Sequence, residues 1–457
     1  MRSDSNGYPS SGSSWYIVIL LFIAYTFSSI DRQILTLLVG PVRADLNLSD
    51  FEISLLQGFA FSLLYVCVGL PIGRLVDVKS RRWIVAIGIT VWCVMTCACG
   101  FAKNFGQLFA ARCGVGMGEA SLSPAAASLI SDSFPSQKRA LAFSVYHLGY
   151  PIGGGLALII GGAILDALAG IDIVNLGILG DFKPWQLAFI IVGLPGLLVA
   201  AMMFTFTEPA RQGLAEGVSV PESIPIQEVV AYVRQRWKAY FALMGGISML
   251  GMLALGTAIW YPTFLIRTYG LSPSDAGYSY GLVMGICGVA GILSGGFFSQ
   301  YLARRGYIDA NLRTMLTAAV LKTGPLIIGP LMPTVEGALT VMAVGTFLGQ
   351  VSVGVSTASI QDITPNQMRG QITALMFFLV SIIGIGFGAT FIAILTDFVF
   401  QDDNALRYSI SLASAIVAPL VCLMFFFGLK HFRANVLEQP SKKDTEELQL
   451  QMETEVS

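Results

Sequence analysis

Along the 457 residues, long apolar runs alternate with short polar or Pro/Gly punctuation. Stretches such as Trp83–Phe101 and Leu187–Phe206 carry no charge. Each runs for about 20 residues, the length that crosses a hydrocarbon core of about 30 Å. The pattern predicts six spans over 15–38, 52–73, 83–102, 106–130, 139–166 and 185–206. A second six follow over 239–266, 276–302, 312–331, 336–361, 370–396 and 407–429. Between the sixes, Thr207–Lys238 has no apolar run and reads as a linker. The expected architecture is an all-α membrane protein of twelve transmembrane helices in two pseudo-symmetric six-helix bundles. It divides into an N-terminal half (1–206), a linker (207–238), a C-terminal half (239–433) and a tail (434–457). The short polar Ser/Gly start runs into a first span with no A-x-A-like site after it, so that span is expected to be retained.

Composition agrees: 54% of residues are hydrophobic, only 12% are charged, and the mean hydropathy is +0.71. A soluble domain carries about twice that charge fraction. With a net charge of −1 nothing points to a nucleic-acid partner and none is expected, and the seven cysteines lie almost wholly in apolar stretches as small packing residues. Two histidines, His147 and His431, offer no metal site, and no cofactor is implied. There is no Walker-type phosphate loop for ATP-driven pumping, nor a nucleophile–base pair at depth, so the chain is not expected to be an enzyme. Lysine and arginine set the orientation. With the termini inside, 19 fall in inner loops and tails, five in outer loops, and three (Arg32, Arg112, Lys322) within spans. Both termini are therefore expected in the cytoplasm.

The halves repeat each other. Asp132-Ser-Phe-Pro135-Ser-Gln-Lys-Arg139 after span four matches Asp362-Ile-Thr-Pro365-Asn-Gln-Met-Arg369 after span ten, at an offset of 230. Gly73…Asp77…Arg81-Arg82 pairs with Gly296…Gln300…Arg304-Arg305 at an offset of 223, and Asp166 with Asp397 at 231. The Gly73–Arg82 loop resembles the signature of the major facilitator superfamily, G-x-x-x-D-[RK]-x-G-[RK]-[RK], with Val78 and Ser80 as departures. Ile30-Asp31-Arg32, Gly116-Met-Gly118-Glu119-Ala120-Ser121, Tyr150-Pro151-Ile-Gly153-Gly-Gly155 and Trp185 resemble its spinster branch, most strongly across 15–206. That resemblance implies transport of sphingosine-1-phosphate- or lysolipid-like molecules, and short loops fit a bacterial inner-membrane member. It also implies that Asp77, Arg81, Arg82, Asp132, Arg139, Asp362 and Arg369, with Gly73, form a cytoplasmic gate that latches the halves together. Gln300 makes that latch lopsided toward the first half.

An ionisable group at mid-bilayer costs about 2.5–3.5 kcal/mol or more, so each requires a reason. Asp31 and Arg32 lie in span one, Arg112 and Glu119 in span four. Arg112 and Glu119 are two helical turns apart, hence on one face, whereas adjacent Asp31 and Arg32 diverge. Arg32 therefore needs a carboxylate on another helix, and Glu119 is the candidate. The four residues read either as a packing network or as the proton-coupling and substrate site, with Arg32 able to hold an anionic head group. Tyr150, Trp260, Tyr261 and Phe377 are candidate cavity-wall residues, so an apolar, aromatic second half would face a charged first half. Lys322 reads as a hydrogen-bonded or snorkelling lysine or as a ligand, and His147 as a packing residue. The expected function is secondary active transport of an amphiphilic or anionic small molecule by alternating access, coupled to protons, by a monomer in the bilayer. An uncoupled facilitator or channel is the alternative.

Overall fold

The structure, a computed structural model, describes residues 8–175, 177, 180–211, 225–365 and 368–438. Residues 212–224 of the linker and the tail beyond 438 thus lie outside the described residues. Among the described residues, eleven helices are long and apolar enough to cross a membrane. The twelfth span is the fourth, which is broken into Phe105–Glu119 and Leu122–Ser133. The break has a local cause. Pro124 has no N–H to give the carbonyl of Ala120, and its ring crowds that carbonyl. Ser121 also turns its hydroxyl back to the Gly118 carbonyl at 2.9 Å. Span five is interrupted in the same way at Leu148, between Ser136–His147 and Gly149–Ala167, because Pro151 has no N–H for the carbonyl of His147.

In the first half, span one is Ser11–Leu37, span two runs over 50–78, span three is Arg81–Cys99 and span six Pro184–Met202. In the second half the spans are Trp237–Tyr269, Pro273–Arg304, Ala310–Leu331, Val335–Asp362, Arg369–Phe400 and Leu406–Glu438. Twelve crossings bring both chain ends to one end of the bundle, called here the termini end.

Among the described residues, the buried apolar side chains form three clusters, and their membership shows how the halves meet. At the termini end each half has its own core: Ile17 to Phe206 in one, Val229 to Phe432 in the other. At the opposite end a single core takes residues from both, from Ile30 and Phe189 to Trp260 and Ala413. The halves therefore merge away from the termini. Spans five and eight carry this contact through glycine. A Cβ on Gly155 would stand 2.7 Å from the Gly281 carbonyl oxygen, and one on Gly281 2.8 Å from that of Gly155, distances that leave no room for a side chain. Spans two and eleven approach as closely, with a Cβ on Gly58 2.3 Å from the Ile385 carbonyl oxygen.

Candidate functional site

Span one delivers two neighbouring charges in different directions, because successive helical side chains are about 100° apart. Arg32 turns toward span four and forms an ion pair with Glu119. Ser28, one turn earlier, donates to the same Glu119 oxygen at 2.6 Å. The Glu119 side chain is fully buried while that of Arg32 is 18% exposed, so the pair opens toward solvent on its arginine side. Glu119 Oε1 and Arg32 Nε have no hydrogen-bond partner among the described residues. Asp31 instead faces span three, where Thr96 and Trp92 are its polar neighbours, and its buried Oδ1 is likewise unpartnered.

Arg112 does not pair with Glu119. It is fully buried and donates to main-chain carbonyls: Asp31 at 3.1 Å, Leu56 at 3.3 Å and Arg32 at 3.5 Å. Leu56 lies in a widened π-type turn, Leu55–Phe59, whose loosened hydrogen bonding leaves that carbonyl free to accept. Arg112 thus holds the backbone beneath Asp31 and Arg32 and fixes the angle at which Arg32 emerges.

The aromatic groups around Arg32 come from the first half. Its guanidinium lies 4.4 Å from the Phe61 ring centre, and Phe61 stacks on Tyr65 at 5.4 Å. Tyr25 stacks on Tyr146 at 4.8 Å, lies 6.3 Å from Tyr150 and meets the edge of His147. Tyr25, Tyr65 and Tyr150 are half-buried, and His147, though exposed, packs edge-on to Tyr25 and Tyr146. Spacing could have found this wall: Tyr25 and Arg32 are two turns apart, and Phe61/Tyr65 and Tyr146/Tyr150 one turn each. The second-half candidates sit elsewhere. Trp260 is fully buried and donates to the Ala389 carbonyl at 3.0 Å, Tyr261 packs edge-on to Tyr280, and Phe377 is 52% exposed on span eleven. Buried Lys322 lies against span ten, where a Cβ on Gly349 would meet its Nζ at 2.6 Å, and it makes no ion pair among the described residues.

At the termini end, Arg81, Arg82, Arg139 and Arg369, four of the residues expected to form a gate, are each held within their own half. Arg81, 1% exposed, is held by Asp132 and by Glu208, the latter at 2.8 Å. Burial disfavours the Glu208 carboxylate, but hydrogen bonds from Ser80 and Arg81 outweigh it and hold its pKa below the ordinary value. Arg82 donates to the Phe206 carbonyl at 3.1 Å, and Gly73 has open space beside it. The repeated motif folds the same way twice. Arg139 donates to the Phe134 carbonyl at 2.8 Å and Arg369 to that of Thr364 at 3.1 Å, each reaching the residue just before the motif proline. Where Asp132 takes Arg81, Asp362 takes Asn311 at 2.7 Å. Asn311, offset by 230, and not Arg304, is therefore the structural counterpart of Arg81. The Asp77 side chain lies outside the described residues.

At the opposite end the charges cross between halves. Asp50, buried at the start of span two, accepts both guanidinium nitrogens of Arg267 at 2.6 and 2.8 Å. Arg43 of the first half reaches Asp403 of the second at 2.5 Å. Asp397 accepts the free N–H of Phe51 in the first turn of span two, at 2.7 Å, where the helix dipole favours a carboxylate. Its repeat partner Asp166 accepts from Tyr278 near the start of span eight at 3.2 Å. Arg43 and Arg267, outer-loop charges by sequence, thus join the two halves.

Comparison with known proteins converges on one family. The profile described as Major Facilitator Superfamily matches residues 21–389. An "MFS-type efflux pump" of Mycolicibacterium smegmatis is 25% identical, the match covering 93% of this chain and 95% of that protein. The "Protein spinster" of Drosophila melanogaster is 26% identical over 77% of this chain and 56% of that protein. A "Hexuronate transporter" of Bacillus subtilis is 25% identical over 90% and 94%. Among solved structures, a bacterial homologue of the human lysosomal transporter spinster, inward-facing and unoccupied, superposes with a TM-score of 0.74. It is 23% identical, and the match covers 93% of this chain and 99% of that one.

Proposed function

This chain belongs to the Major Facilitator Superfamily, and from that premise we propose that it is a secondary active transporter of an anionic, lysolipid- or sphingolipid-like amphiphile. It works by alternating access and is coupled to protons. The observation that carries this reading is the Arg32–Glu119 pair, closed on its carboxylate side and open on its guanidinium side. An anionic head group approaching Arg32 competes with Glu119 for the guanidinium. Once released, Glu119 is a buried charge left with only the neutral Ser28 hydroxyl, and taking a proton is the least costly way to remain there. Binding of the anion and of a proton are thereby linked. The half-buried rings of Tyr65, Tyr25 and Tyr150, with Phe61 buried behind them, offer apolar surface to the rest of the amphiphile.

The merged core and the Arg267–Asp50 and Arg43–Asp403 pairs belong to a state closed at the opposite end. With the termini cytoplasmic, as the lysine and arginine bias supports, that state faces inward, in the inner membrane of a bacterium and as a monomer. The turns bearing Asp77, Arg81, Arg82, Asp132, Arg139, Asp362 and Arg369 latch the halves in the outward-facing state.

Uptake into proteoliposomes with and without an inwardly directed proton gradient tests the proposal, on a panel of lysolipids, sphingoid phosphates and a hexuronate. Gradient-driven accumulation of an amphiphile that is lost in Glu119→Gln is the expected result. Unchanged accumulation in both Asp31→Asn and Glu119→Gln would remove the proton mechanism, and uptake indifferent to the gradient would leave an uncoupled facilitator. Accumulation of the hexuronate alone would move the substrate to sugar acids, which the name of the Bacillus relative favours.

A further inference from the structure

The end of the linker, a polar stretch without an apolar run, folds into a helix at Ile226–Gln235 and continues past a bend at Arg236 into span seven. At about 100° per residue this helix has three faces. Val229 and Tyr232 point into the protein, where Val229 is buried and the Tyr232 hydroxyl donates to the Ile363 carbonyl at 3.2 Å. Ile226, Val230 and Val233 form a second stripe, and Ile226 and Val230 are 68% and 58% exposed. Gln227, Glu228, Arg234 and Gln235 make the third face, all exposed. Beyond the bend, exposed Trp237 and Phe241 pair at 6.3 Å and carry the apolar stripe onto the outer surface of span seven. Exposed Lys238 lies 6.0 Å over Trp237. Arg236 is occupied, paired with Glu438 at 2.8 Å and stacked on Tyr232.

A helix meeting protein on one side, apolar surroundings on the second and water on the third fits one place, the boundary between hydrocarbon and head groups. We propose that the helix at 226–235 lies in the membrane interface of the termini-end leaflet and binds anionic lipid head groups through Arg234 and Lys238. Two observations select lipid as the occupant. The apolar stripe is continuous with the lipid-facing side of span seven, and an aromatic residue, Trp237, stands where the two join, as at membrane boundaries generally. The basic side chains flank the stripe on the side that faces water, where a phosphate would stand. The same helix is pinned through Tyr232 to the turn between spans ten and eleven, so the lipid contact reaches a segment of the proposed gate.

The test places a photoreactive benzophenone amino acid at Val230 of the full chain, reconstituted in vesicles of phosphatidylcholine with a third of phosphatidylglycerol. A second label at Ile286, exposed on span eight, serves as a lipid-facing control. The Val230 label is expected to cross-link lipid and to prefer phosphatidylglycerol. Arg234→Gln and Lys238→Gln should each lower that preference about fivefold, with the Ile286 label unaffected. Free inorganic phosphate added to pure phosphatidylcholine vesicles should leave the cross-linking unchanged. If the Ile286 label cross-links lipid while the Val230 label captures only protein or nothing, the face is docked or water-exposed and the proposal fails. Lipid capture at Val230 without any phosphatidylglycerol preference overturns the head-group assignment.

Discussion

Arg267, near the end of span seven, grips both carboxylate oxygens of Asp50, at the start of span two, at 2.6 and 2.8 Å across the boundary between the halves. Asp50 has no exposed side-chain surface, so removing its charge strands a guanidinium that is only 15% exposed. Breaking such a buried pair costs about 3 kcal/mol. Asp50→Asn is therefore expected to open the end opposite the termini. Spin labels on exposed Lys103, in a loop, and exposed Glu336, in the first turn of span ten, should show a new population at longer distance by pulsed electron–electron resonance. A distribution identical to the parent protein would show that the pair does not hold the end closed.

Glu208 supports Arg81 from the first residues of the linker, and its pKa is held below the ordinary carboxylate value. A carboxyl whose folded pKa is lowered contributes stability that is present above the unfolded pKa and lost as pH falls through the folded one. Thermal unfolding in detergent should thus show an acid-side loss below about pH 4 that Glu208→Gln lacks. At neutral pH the variant should be less stable by about 1–3 kcal/mol, since Arg81 keeps Asp132 and the carbonyl of Pro209. Superimposable pH profiles for the two proteins would refute the role given to Glu208.

Gly155 and Gly281 allow spans five and eight to touch backbone to backbone. Gly155→Val forces the helices apart and should cost about 1–3 kcal/mol. Gly285→Ala on the same face of span eight is the control, because a Cβ there meets nothing within 4 Å. That control should be neutral or slightly stabilising, as alanine suits a helix better. Equal melting temperatures for Gly155→Val and the parent would contradict the close approach.

Much of this protein is readable from sequence because the relevant signals are local. A run of about 20 apolar residues must span the bilayer wherever its neighbours lie. Asp132…Arg139 and Asp362…Arg369 repeat because each motif closes on a carbonyl five residues back from its arginine, at Phe134 and at Thr364. The need of Arg32 for a carboxylate was equally legible, since a charge in the membrane requires a partner, and Glu119 was the acid on a helix able to reach it. What sequence did not decide is which way each helix turns about its axis and which helix stands opposite. That rotation sends Arg112 to three carbonyls and leaves Glu119 to Arg32. It gathers Tyr25, Phe61 and Tyr65 around the guanidinium while Trp260 is enclosed in the core. It also makes Asn311 a hydrogen-bond partner of Asp362. Those choices depend on contacts between residues tens to hundreds of positions apart, and only the packed bundle sets them.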